Sequence, residues 1–512
     1  MLVHVKSAKC TGIEAVKVTV EIDIVPGIGT YIVGLADTAV KESLLRTCTA
    51  LGSIGFRIPG KKIIINLAPA NLHKKGSGYD APIAVGIIAA SGQLELPLMD
   101  SFMILGELGL NGELRAIPGA ICFAELAAAE GCKGIILPAE SATEAAGIEG
   151  TAIYGAHNLK DILKILSGEE DCGDLLAGKT ADPAIPPAGN DSFPDFSDIL
   201  GQEGAKRGME IAAAGNHNVI LIGPPGSGKT SLARALSGIL PPPTKEESLM
   251  ISKIWSISGK KPSGTGFISQ RPFRAPHYSI SAGGLIGGGG ADFIIPGEVS
   301  LAHNGVLFID EFGQMPKSMM EALRGPLEDR KVTVSRIRSK NEYPASFMFV
   351  VASNPCPCGY YGQDDRCCCT VAQRLNYLAR LSGPVQDRID LHLWMSAATP
   401  SALDRNERGE SSAVIAERVR RAREIQQKRF ASEDILTNSQ MNNRQIERFC
   451  PLSRECSELL GRLMESQGLS MRAYFRIIRV ARTIADIAGE EKISPQHLAE
   501  AAGYRFLDKA KL

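Results

Sequence analysis

At 512 residues, with 44% hydrophobic and 22% charged side chains, the chain has the composition of a soluble globular protein and is too long for one core, so roughly two to four domains are predicted. No apolar run reaches ~18 residues and the N-terminus MLVHVKSAKC lacks a signal peptide's apolar region, which excludes a membrane-spanning helix and predicts a cytoplasmic protein whose clustered cysteines serve metal or catalysis before disulfides. Formal net charge is zero, and its uneven distribution (−2 over residues 1–165, −6 over 166–197, +8 over 198–512) is too diffuse to argue by itself for a polyanion partner.

The first segment alternates β-like runs, Val16–Ile24, Lys62–Leu67 and Gly134–Leu137, with alanine-rich helical runs, Ala81–Ala90 and Ala120–Ala129. That mixture predicts a compact α/β domain over residues 1–166. Residues 167–197 are rich in Gly, Pro and acid, lack periodicity, and read as a linker. From about Asp198 the strands become short and wholly apolar: Asn218–Ile222, Gly305–Ile309 and Phe347–Val351. Such runs, each ending at a polar or Gly-rich turn, suit central parallel strands of a nucleotide-binding sheet, here spanning 198–393. From 394 to 512 the pattern is helical. Ile415, Val419, Ala422 and Ile425 fall on one face, with Arg418, Arg420, Arg421 and Arg423 around the rest.

The stretch Gly223-Pro224-Pro225-Gly226-Ser227-Gly228-Lys229-Thr230-Ser231 follows one of these strands and precedes a helical run. G-x-x-x-x-G-K-T in that setting is a phosphate-binding loop, because glycines let backbone N–H groups wrap phosphates and the helix N-terminus adds its dipole. Lys229 would reach the β- and γ-phosphates of ATP, and the Thr230 hydroxyl would hold Mg²⁺. Further on, GVLFIDEF ends a strand with Asp310, a fitting second Mg²⁺ ligand, and Glu311, a fitting general base for the attacking water. Asn354 follows the third strand, where an amide could orient that water or simply make an Asx-turn. Five of the chain's 12 cysteines then crowd into positions 356–369. Cys356, Cys358, Cys367 and Cys369 form two C-x-C pairs that could surround a structural, tetrahedral Zn²⁺ and leave Cys368 spare. C-x-C is tighter than the usual zinc spacing, so a loop of unligated thiols is the alternative.

RPFRAPHYS (271–279), PGEVSLAHNGVLFIDEF (296–312), SNPCPCG (353–359), RLSGPVQDRIDLH (380–392) and RAYFRIIRVARTIADIAG (472–489) resemble the magnesium-chelatase-like branch of the AAA+ ATPases, and within it the YifB/ComM family. The resemblance covers essentially the whole chain. It implies an α/β multidomain fold: an N-terminal ribosomal-S5-domain-2/Lon-protease-like domain, a central AAA+ P-loop domain and a C-terminal helical lid. It gives Asn354 the sensor-1 role and Arg388 that of an arginine finger reaching a neighbour's nucleotide, hence a homo-hexameric ring. Arg472 matches the sensor-2 arginine, with Arg476 and Arg479 on the same helical stripe. GGLIGGGGADFIIPGEVSL matches the helix-2 insertion, and KVTVSRIRSKNEYPA resembles the hairpin before sensor 1. In related ring motors such hairpins face the pore, so Arg336, Arg338 and Lys340 would contact DNA phosphates. A solvated edge hairpin carrying protective charges is the alternative.

Residues 106–141 resemble the proteolytic domain of Lon, whose chemistry needs a serine nucleophile and a lysine base. The corresponding turn, Asp80-Ala81-Pro82-Ile83, puts isoleucine where the hydroxyl belongs, and no lysine occurs between Arg115 and Lys133. A domain without either group cannot run acyl transfer and is expected to be proteolytically silent. The family resemblance thus implies an ATP-driven motor on branched or single-stranded DNA, with helicase or branch-migration activity on recombination intermediates, linked to natural transformation. Two other classes remain open. One is a magnesium-chelatase motor subunit, whose partner carries a D-x-S-x-S motif absent from this chain. The other is an ATP-dependent chaperone or scaffold acting without nucleic acid.

Overall fold

A computed structural model describes residues 2–35, 38–74, 76–169, 172–178, 193–261, 266–289, 294–336, 339–362, 366–381, 385–397 and 409–508. Seven strands build the first sheet: β1 (Val3–Thr11), β2 (Glu14–Val25), β3 (Thr30–Val33), β4 (Lys62–Ala68), β5 (Phe102–Ile104), β6 (Gly134–Pro138) and β7 (Ala152–Ala156). Their order is β3-β4-β2-β1-β5-β6-β7. β1, β2 and β4 pair antiparallel, and β1, β5, β6 and β7 run parallel. Burial alternates along β4 with period two, so Ile63, Ile65 and Leu67 face one core. The helix Asp80–Ala90 fills that core; it is apolar all round and buried all round. Ile83, at the position where a Lon-type serine would stand, is fully buried within it. The helix Ala120–Ala129 covers the opposite face, against Ala8, Met103, Ile135 and Leu137.

The second sheet is wholly parallel. Its strands are β8 (Val219–Ile222), β9 (Phe273–Arg274), β10 (Val306–Ile309), β13 (Met348–Ser353) and β14 (Leu391–Trp394), while β11 (Lys331–Arg336) and β12 (Ser339–Pro344) form a separate hairpin. The sheet order is β9-β10-β13-β8-β14. In register, Ile222 pairs with Ser353 and Trp394, and Ile309 pairs with Val351. The ends of β8, β10 and β13 therefore meet at one edge of the sheet, as the ligand-binding rule for open parallel sheets requires.

Alternate residues of these strands feed two cores. Val219, Leu221, Val350 and Leu393 pack under the helices Glu203–Gly215, Lys229–Ile239, Ser412–Arg429 and Met471–Ala488. Ile220, Ile222, Ile309 and Val351 pack beneath Phe312, Leu285 and the hairpin residues Val332, Val334 and Tyr343. The helical C-terminal region is thus continuous with the core under the parallel sheet. One residue of its expected apolar stripe is corrected. In Ser412–Arg429 the buried positions are Ile415, Val419, Ala422 and Gln426, with Ile425 only half-buried. Gln426 is tolerated there because its amide is satisfied: Nε2 donates to the Ala214 and Ala422 carbonyls at 2.9 and 3.2 Å, and Oε1 accepts from the Asn438 N–H at 2.9 Å.

The helix Lys245–Ser258 meets the helices Ala120–Ala129 and Ala139–Ala145 of the first unit through polar contacts. Lys253 pairs with Glu125 at 2.5 Å, the Gly119 N–H donates to Ser256, and the Ser256 hydroxyl donates to Glu144 at 2.8 Å. Ile13, in the β1–β2 turn, packs against the core beneath the hairpin. Among the described residues no helix is long and apolar enough to cross a membrane.

Candidate nucleotide site

β8 delivers the chain to the sheet edge at Gly223. A side chain there would put its Cβ 2.5 Å from the Met395 carbonyl oxygen, so the close approach admits only glycine. Gly226 and Gly228 take φ of +76° and +85°, the left-handed region that turns the loop back on itself, and the helix starts at Lys229. Lys229 is buried inside the loop. Its Nζ donates to the Gly223 and Pro224 carbonyls at 2.7 and 2.9 Å and to Asn354 Oδ1 at 3.4 Å. Burial pushes its pKa below the usual lysine range, against the opposing pull of Asp310 and Glu311. Thr230 Oγ1 donates to Asp310 Oδ2 at 2.8 Å, and Asp310 Oδ1 accepts from the Glu311 N–H at 2.8 Å. Glu311 itself sits at φ +49°, a strained setting for a residue with a side chain, which turns the chain sharply at the strand end.

Lys229, Thr230, Asp310, Glu311 and Asn354 are therefore brought together as the motif spacing predicts. Ser227 Oγ is buried without a hydrogen-bond partner, and the space beside Gly226 is open. An orphaned donor, a buried ammonium, left-handed glycines and a hydroxyl–carboxylate pair fit a Mg²⁺-nucleotide. Ser231 is exposed in the first helical turn.

The arginines lie elsewhere. β14 runs parallel to β8, with Leu391 beside Val219, so Arg388 precedes the strand at the sheet edge away from the loop. The Asn218 side-chain amide donates to the Arg388 carbonyl at 2.8 Å, fixing that end. β8 alone, four residues long, separates the edges by on the order of 13 Å. The Arg388 guanidinium pairs with Glu328, and Arg472, in the first turn of Met471–Ala488, pairs with Asp387. Arg476 pairs with Asp390. These residues and Arg479 line one cavity of about 980 Å³ whose lining includes no P-loop residue. Arg472 thus stands beside Arg388 and not beside its own chain's Lys229.

Beneath the cavity lies a buried network that motif reading missed. Asp390 Oδ2 accepts from the Asn218 N–H at 3.1 Å and lies 3.4 Å from His217 Nδ1. His217 Nε2 is 2.8 Å from Thr483 Oγ1. Burial would push the Asp390 carboxyl up, but Arg476, His217 and Arg479 together hold it well below the usual carboxylate range. Burial lowers the pKa of Arg479, whose Nε has no hydrogen-bond partner. The available signal was the acidic spacing in QDRID.

The hairpin β11–β12 buries Val332, Val334 and Tyr343 and exposes Arg336 and Lys340. Arg338 lies outside the described residues. In the cysteine segment, the Sγ atoms of Cys356, Cys358, Cys367 and Cys369 lie within 4.8 Å of one another. Three of the separations are 3.3, 3.8 and 3.7 Å. Four thiolates around a tetrahedral Zn²⁺ at about 2.3 Å would stand about 3.8 Å apart, so the donor set fits that metal. Cys368 is exposed. The Tyr360 N–H pulls the Cys358 thiol down to about 6, while burial pushes Cys356 up to about 12.

Residues 195–403 match the family described as magnesium chelatase, subunit ChlI. Residues 20–141 match subunit ChlI of Mg-chelatase, and residues 409–505 match the ChlI C-terminal family. The chain is 42% identical to YifB of Escherichia coli K12 over 99% of its own length and 97% of that protein. It is 41% identical to the competence protein ComM of Haemophilus influenzae over 99% and 98%. A stretch of 145 residues, 27% of this chain and 26% of the relative, is 34% identical to Lon protease 2 of Bacillus subtilis.

Proposed function

Because the chain belongs to the YifB/ComM family of magnesium-chelatase-like AAA+ ATPases, we propose that it is a cytoplasmic, ATP-hydrolysing ring motor that remodels branched or single-stranded DNA. Its activity is helicase or branch migration on recombination intermediates, linked to natural transformation; one relative is named a competence protein. The observation that supports the reading is that the P-loop Lys229 and the cluster of Arg388 and Arg472 lie at opposite edges of one parallel sheet.

At the first edge Lys229 binds and neutralises the β- and γ-phosphates, with the backbone N–H groups of Gly226–Ser231 around them. Thr230 and Asp310 hold Mg²⁺, which when bound offsets the charge developing on the transferred phosphoryl group. Glu311 accepts the proton of the attacking water, and Asn354 orients that water. At the second edge Arg388 and Arg472 exchange Glu328 and Asp387 for the phosphates of a neighbouring subunit's nucleotide. Both act in trans, since neither lines its own chain's loop. Six copies related head to tail close the ring.

Arg336 and Lys340 on the hairpin, together with Arg338 between them in sequence, supply sequence-independent phosphate contacts. The four cysteines hold one structural Zn²⁺. Residues 1–166 form the proteolytically silent Lon-like unit, 167–197 the linker, 198–393 the ATPase core and 394–512 the lid.

The test is ATP hydrolysis with and without forked or four-way DNA. Branched DNA should stimulate the wild type and be unwound, and Lys229→Ala should abolish turnover. An ATPase indifferent to every DNA contradicts the DNA assignment and favours a chelatase or chaperone motor.

A further inference from the structure

The cysteine cluster joins two pieces of chain that each touch the nucleotide site. The first begins at Asn354, whose Oδ1 takes the Lys229 ammonium at 3.4 Å. Two residues on, Cys356 is buried, and the Gly359 N–H closes a turn onto its carbonyl at 3.0 Å. Gly359 has φ +86°, and a Cβ there would lie 3.1 Å from Pro225 and 3.8 Å from Asn354 Cγ. The turn Cys356–Gly359, which carries the first two cysteines, therefore lies directly on the P-loop proline and on the sensor amide.

The second piece, Cys367–Cys369, runs into the helix Val371–Leu381. That helix brings Tyr377 to 3.5 Å from Ser353 Oγ, and a Cβ on Gly313 would sit 2.8 Å from the Tyr377 hydroxyl. Gly313 follows Asp310 and Glu311 by only a few residues. Arg374 of the same helix lies 4.3 Å over the Tyr361 ring, which in turn meets Trp394 at the end of β14.

We infer that a tetrathiolate Zn²⁺ at Cys356, Cys358, Cys367 and Cys369 is a positioning element for ATP hydrolysis, stapling the turn that backs Pro225 and Asn354 to the helix that backs the Asp310-Glu311 turn. This rests on the zinc reading of the same cluster. Without the metal the two pieces are held together by the Ser353–Tyr377 and Arg374–Tyr361 contacts, and the turn under Pro225 separates more readily from the helix under Gly313. Displacement of either backing moves groups that must meet one phosphate, and misplacements of about 1 Å cost roughly 100-fold in turnover. Cys368, exposed and outside the ligand set, has no part in this.

The experiment measures three quantities on the full chain: zinc by elemental analysis, affinity for a fluorescent non-hydrolysable ATP analogue, and turnover. Wild type and Cys368→Ser should carry one zinc each and behave alike. Cys358→Ser should lose zinc, bind the analogue more weakly and turn over roughly 10- to 100-fold more slowly. Chelating zinc from the wild type should reproduce both losses with the far-ultraviolet dichroism unchanged, and zinc alone should restore them. Wild type without zinc, or with another metal, overturns the zinc reading. Zinc bound and then lost with affinity and turnover unchanged overturns the coupling and leaves the zinc site standing. Loss of secondary structure on chelation also overturns it, because the cluster would then hold the fold.

Discussion

At the scale of single residues, what could be read in advance was whatever the chemistry fixes by local spacing. A phosphate loop must wrap its ligand within one turn, so Gly223 to Thr230 announce themselves, and the C-x-C pairs pick out the four cysteines whose sulfurs cluster, with Cys368 left out. The network of Asp390, Asn218 and His217 could not be assembled from the sequence because their side-chain partners lie 86 or more residues away. They also carry a stability prediction. Asp390 is buried between Arg476, His217 and the Asn218 N–H, so Asp390→Asn should cost about 3–5 kcal/mol by leaving buried cations uncompensated. The Asp390 pKa is depressed in the folded state, so this contribution is complete above the unfolded value of about 3.9 and is lost as pH falls below it. Urea midpoints of wild type and variant should stay a constant distance apart from pH 7 to pH 5 and converge only below pH ~4. A gap that widens with acidification would contradict the assignment.

At the scale of elements, the strands with wholly apolar sequences appeared where periodicity put them, to within a residue or two at each end. β9 could not be found, being only two residues long and paired along one edge. Gln426 displaced Ile425 from the buried stripe for a related reason, since periodicity ranks side chains by hydropathy and cannot see that an amide will be fully bonded. The hairpin β11–β12 is anchored by Val332, Val334 and Tyr343, which leaves Arg336 and Lys340 free to meet a polyanion. Replacing both with alanine should weaken DNA binding at every sequence. It should also lower the slope of log affinity against log salt by about 1–2, one phosphate contact per cation removed. A slope unchanged from wild type would leave the hairpin as a solvated edge.

At the scale of the whole molecule, the sequence carried the fold class and the kinds of domain, because family motifs span the chain from residue 106 to 489. It did not carry the order of the parallel strands, and that order decides the mechanism. With β14 beside β8 and parallel to it, the arginines and the P-loop fall at opposite edges, the arrangement that the proposed ring turns into two unlike half-sites per subunit. In the proposed ring, head-to-tail association would make whole sites only between copies. Losing Arg388 should then lower turnover on the order of 10³–10⁵-fold, as for other arginine fingers, while leaving that subunit's own P-loop intact. The most direct measurement mixes Lys229→Ala with Arg388→Ala, each inactive alone, and assays ATP hydrolysis across mixing ratios. Shared sites predict recovery that peaks near equal proportions, at about one quarter of the wild-type rate for random assembly of head-to-tail rings. Hydrolysis that stays at the level of the two variants at every ratio would contradict the account.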